Sequence, residues 1–72
     1  MRSYKQLGFC QLQQGKYQDA VASLSVAIER HPKYAEAFHL RAQAMKGLGQ
    51  YASAAEDERT ATRLGFRPDD SV

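Results

Sequence analysis

The sequence predicts an all-α chain made of two tandem helix-turn-helix hairpins, with four antiparallel helices in all. Two observations lead there. Residues 1–34 laid over 35–68 bring Gly15 onto Gly49, Tyr17 onto Tyr51, Ala20 onto Ala54 and Ala27 onto Ala61. The pairs Tyr4/Phe38, Gly8/Ala42 and Cys10/Ala44 keep size or character across the same offset. These matches fall on glycine, tyrosine and small residues, where a helical hairpin needs a stop or a close crossing, so they mark a repeat. The second observation is compositional: alanine is abundant, which favours helix, while Asn and Trp are absent.

The elements follow in order. A first helix at about 2–14 rests on Tyr4, Leu7, Gly8 and Gln11, which recur at three- and four-residue steps. Gly15 stops it, because glycine adopts the left-handed conformation that a helix end requires. A second helix at about 18–30 carries the stripe Ala20, Val21, Leu24, Ala27 and Ile28, with Asp19 near its positive end. Pro32 cannot continue it and pushes His31, a turn residue, towards an extended geometry. A third helix at about 35–47 is striped by Phe38, Ala42 and Met45 and stopped by Gly49. A fourth at about 52–64 is striped by Ala54, Ala55, Ala61 and Leu64 and ends before Gly65 and Pro68. The hairpins are thus 1–34 and 35–68, the second degenerate, leaving a tail at 69–72.

One hairpin exposes an apolar face that it cannot bury alone, and the second copy covers it. Small residues at Gly8, Ala20, Ala27, Ala42, Ala54 and Ala61 are the expected packing positions where helix backbones approach closely. Such economy suits a chain of 72 residues, which buries only about 60% of its unfolded surface.

Composition narrows the function. An apolar share of 43% and a charged share of 25% are ordinary for a globular domain, so neither a disordered tract nor a membrane class is favoured. A net charge of +2 from scattered basic residues does not by itself imply nucleic acid. The lone Cys10 cannot form an intrachain disulfide and fits a reducing compartment. With no signal-peptide core and no apolar run of spanning length, the cytoplasm is the default expectation.

At these residues the chain resembles the tetratricopeptide repeat family. Tyr4, Leu7, Gly8, Ala20, Leu24, Ala27 and Pro32 carry the likeness in the first copy, and Phe38, Ala42, Ala54 and Ala61 in the second. Arg41, Glu58 and Phe66 depart from the family's leucine, aromatic and proline. The resemblance implies a short right-handed α-solenoid. Val21, Leu24 and Ile28 give way to Ala55, Glu58 and Thr62 in the second copy, as on a terminal repeat that faces water.

The resemblance also implies a concave face, lined by the first helix of each hairpin, that grips extended or helical peptides. Its residues here are Arg2, Lys5, Phe9, Leu12 and Gln13, then Glu36, His39, Gln43 and Lys46. In the family's chaperone-tail clamp Lys5 holds a lysine position, whereas Phe9 and Leu40 stand at asparagine positions. Phe9 and Leu12 therefore point to an apolar or amphipathic protein partner, in an interaction module or scaffold fragment. Self-association, or packing on further repeats, is compatible with that expectation. The ending "LGFRPDD" is similar to that of pentatricopeptide repeats, which read single-stranded RNA. Arg59, Arg63 and Arg67 keep that alternative open, although nucleic acid is the less favoured partner.

No catalytic constellation is legible. Cys10 falls where the family has alanine and is expected to be small and buried. Glu36 and His39 lie three apart on one helix, a spacing used in bundle metal sites, but no third ligand or zinc motif accompanies them. They read as a solvated Glu–His pair, and 56–59 as a solvated charged run. Gly47 and Gly49 punctuate a turn rather than cradle a phosphate. The expectation is a non-enzyme with no metal and no cofactor.

Overall fold

A computed structural model describes residues 4–66. These form α1 (Tyr4–Gln13), α2 (Tyr17–Arg30), α3 (Ala35–Gly47) and α4 (Tyr51–Arg63), with no strand among the described residues. Each helix packs on the next, and α1 also touches α3. The chain is all-α, in an arrangement of helical hairpins.

The turns show why the helices stop where they do. At the end of α1, Gly15 donates to Leu12 O at 3.1 Å and Lys16 to Gln11 O at 2.8 Å. At the end of α3, Gly49 donates to Lys46 O at 3.0 Å and Gln50 to Met45 O at 2.8 Å. This Schellman pattern needs a left-handed residue, and Gly15 and Gly49 supply it at φ 78° and 81°. The same bonding closes α4, where Phe66 donates to Ala61 O at 2.9 Å. Pro32 acts differently. His31 caps α2 at φ −136° and ψ 80°, with its N–H on Ala27 O, and Tyr34 then donates to His31 O to turn the chain into α3. Pro68 lies outside the described residues.

Two clusters make the core. The larger joins Ala20, Leu24 and Ala27 of α2 to Ala37, Leu40 and Ala44 of α3, with Leu12, Tyr17, Val21, Ile28 and Tyr34 around it. The smaller sets Ala42 and Met45 of α3 against Ala54 of α4 and Val21. Helix α3 is therefore buried on two faces, against α2 and against α4. A single stripe of Phe38, Ala42 and Met45 understates it, because Ala37, Leu40 and Ala44 make a second one. The stripe expected on α4 needs a correction: Ala54 and Ala61 are buried, but Ala55 is exposed. Its counterpart Val21 packs on α3, whereas no described helix covers that face of α4.

Alanine and glycine set how close the helices come. Gly8 is buried against Leu24, and a Cβ added to it would lie 2.5 Å from Leu24 Cγ. Gly47 is equally close to the ring of Tyr17, where an added Cβ would meet ring carbons at 2.7 Å. Ala20, with no exposed surface, sits in the larger cluster. Ala20→Leu is expected to cost about 1–3 kcal/mol by overpacking. A thermal melt checks this, and an unchanged midpoint would contradict the close crossing.

Candidate functional site

The face shared by α1 and α3 gathers part of the expected concave set. On α1, Lys5, Phe9, Leu12 and Gln13 follow one another at helical spacing and so lie along one side. Lys5 Nζ reaches across to Glu36 Oε1 at 3.1 Å, joining the first helix of one hairpin to the first helix of the next. The hydrogen bond to Glu36 holds the Lys5 pKa above its ordinary value of 10.5. Its share of stability is therefore present at neutral pH and fades as pH rises through that elevated value. Both side chains reach solvent, so the pair orders the face more than it stabilises the fold.

Further along α3, the Gln43 amide lies 2.8 Å from His39 Nε2, an arrangement in which the amide donates and the ring nitrogen accepts. The His39 ring stacks on Phe66, with centroids 4.5 Å apart and planes inclined by 28°. Phe66 lies just past the turn that closes α4, so the end of the second hairpin reaches the middle of this face. Phe9 remains 44% exposed and is the largest uncovered apolar side chain on the α1 part of it.

Other members of the expected set are placed differently. Leu12 packs against the larger core cluster. Lys46 turns to Glu58 of α4 at 2.6 Å. By the repeat, these two residues correspond to Leu12 and Leu24, so a charge pair in the second hairpin stands where the first has two leucines. Leu40, expected at an asparagine position of the chaperone clamp, is only 6% exposed and belongs to the core. Arg2 and Arg67 lie outside the described residues.

Two further expectations need correction. Glu36 and His39 do not pair with each other, since Glu36 engages Lys5 and His39 engages Gln43 and Phe66. No group of three metal-ligating side chains occurs among the described residues. Cys10 is exposed, not buried. Its counterpart Ala44 is covered by α2, whereas no described helix precedes α1 to cover Cys10. The Cys10 thiol is expected to react fully with a disulfide dye without denaturant. Labelling that required unfolding would contradict its exposure.

The sequence reading missed a side-chain bridge. Arg41 holds Asp57 through both carboxylate oxygens, Nε to Oδ2 at 2.6 Å and Nη2 to Oδ1 at 2.9 Å. Its Nη1 also donates to Ser25 Oγ at 3.2 Å, and its guanidinium lies 5.5 Å from the Phe38 ring centroid. One residue thus ties α2, α3 and α4 together. The only signal in the sequence was Arg41 standing where the first copy has Leu7. The first hairpin uses a neutral bond at the corresponding level, Ser23 Oγ donating to Gln11 Oε1 at 2.7 Å.

No described helix is long and apolar enough to cross a membrane. No curated protein and no solved structure matches the chain significantly. A family model described as tetratricopeptide repeat matches residues 11–56, more than half of the chain. That match runs from the end of α1 into α4 and spans the glycine and proline turns described above. The chain belongs to the tetratricopeptide repeat family.

Proposed function

We propose that the chain is a protein-interaction module or scaffold fragment that holds a partner peptide or helix on the α1–α3 face. Repeats of this family generally mediate protein–protein interaction and are typically non-catalytic. The observation that carries the reading is the exposed Phe9 beside the Lys5–Glu36 bridge, an apolar anchor next to a fixed pair of charges. Such an anchor with a polar rim is how a short amphipathic segment is seated. Gln13 and Gln43 add amide donors and acceptors along the same side. The partner is apolar or amphipathic, and the setting is cytoplasmic.

Protein is a better candidate than single-stranded RNA. Arg59 and Arg63 of α4 share their face with Glu58, and the open hollow they line with Ala55 and Thr62 offers no aromatic ring. Exposed Ala55, Thr62 and half-exposed Glu58 make this a wet end of the solenoid.

A pull-down comparing wild type with the double variant Lys5→Ala, Phe9→Ala tests the groove. Specific partners of the wild type are expected to be lost, with helix content unchanged by circular dichroism. Identical partner sets would remove the assignment.

A further inference from the structure

We propose that the turn between α2 and α3 is a second binding site, which takes an acidic peptide segment carrying a bulky apolar side chain. Arg30, His31, Pro32, Lys33 and Tyr34 line an open hollow of about 540 Å³. Its walls are mostly apolar, from the Pro32 and Tyr34 rings and the stems of the basic residues, so it has room for one large side chain.

The rim carries two cations, Arg30 and Lys33, that no described ion pair engages. Among the described residues the ion pairs are Lys5–Glu36, Arg41–Asp57 and Lys46–Glu58, and none of them involves Arg30 or Lys33. Arg30 instead lies 5.4 Å from the Tyr4 ring centroid, which orients the guanidinium without cancelling its charge. His31 meets Tyr34 edge to face at 6.2 Å, bracing the wall of the hollow. Tyr34 is also the N-cap of α3 and makes no side-chain capping bond. Of the neighbouring carboxylates, Glu36 is held by Lys5, leaving Glu29 beside Arg30.

An apolar cup with cationic edges selects a ligand of matching form: negative charges flanking one apolar group. A polynucleotide fits less well. Its affinity comes from a track of phosphate contacts, whereas the cations here sit within one turn around a single concavity.

The site is distinct from Phe9 and Gln43 on the α1–α3 face, and the experiment separates the two. The probe is a fluorescein-labelled peptide, Gly-Asp-Glu-Phe-Asp-Glu-Gly, titrated with the full chain and followed by anisotropy. Saturable binding is expected. Lys33→Glu, which leaves the Arg30–Tyr4 contact in place, is expected to weaken it several-fold, and Arg30→Glu with Lys33→Glu about tenfold or more. Replacing the peptide's phenylalanine with alanine weakens it too, whereas Phe9→Ala with Gln43→Ala leaves it unchanged. The proposal is overturned if binding does not saturate or if Lys33→Glu binds equally well. It is also overturned if the loss appears with Phe9→Ala instead, or if a short oligouridylate displaces the peptide at equal concentration.

Discussion

Leu24→Ala is expected to destabilise the chain by about 2–5 kcal/mol, the range for truncating a buried leucine. Among the described residues Leu24 is the largest side chain with no exposed surface, and it lies where both hairpins meet. A domain of this length holds only about 4–11 kcal/mol in total, so one truncation removes a large share. Gly8 offers a check on the contact itself. Gly8→Ala alone drives a methyl group towards Leu24 Cγ and is expected to destabilise. In the Leu24→Ala background the same methyl enters the new cavity and gains helix propensity, so it is expected to stabilise. Urea titration of the four proteins reads both signs, and additivity would contradict the Gly8–Leu24 contact.

Asp57→Ala is expected to cost about 3 kcal/mol, because it leaves the Arg41 guanidinium half-buried between helices without its carboxylate. Asp57 is 7% exposed, and its two bonds are the strongest polar link between α3 and α4. Removing both charges is expected to cost much less. In Arg41→Leu with Asp57→Ala, position 41 carries the leucine of the first repeat, and apolar packing replaces the pair. A Tm for the double variant close to wild type, beside a low Tm for Asp57→Ala, is the expected pattern. Equal losses in both would mean that the bridge supplies stability that apolar packing cannot replace.

The contrast between these two sites shows what was legible in the sequence. Helix ends could be read because each has a local cause: left-handed glycine at 15 and 49, and the ring of Pro32. The apolar crossings could be read because Ala20 and Ala27 recur with their partners 34 residues on. The Arg41–Asp57 bridge could not, since it joins residues sixteen apart on separate helices, and the departure from leucine at position 41 does not name the partner. The misplacement of Cys10 and Ala55 has one source. Overlaying two repeats assigns both the burial of an interior copy, yet α1 and α4 each have one face that no described helix covers. The same reasoning explains Tyr51, which is 68% exposed although its counterpart Tyr17 lies on Gly47. On the α1–α3 face, Lys46 and Leu12 enter the concave set through the family resemblance, which does not register the pull of Glu58 on one or of the core on the other.

Everything proposed for this chain depends on the hairpins folding as a single nested unit, and amide hydrogen exchange tests that most directly. The expected result is that the slowest amides lie in Ala20–Ala27 of α2 and Ala37–Met45 of α3 and share one opening free energy equal to that of global unfolding. Two separate opening energies, one for α1 with α2 and another for α3 with α4, would contradict it.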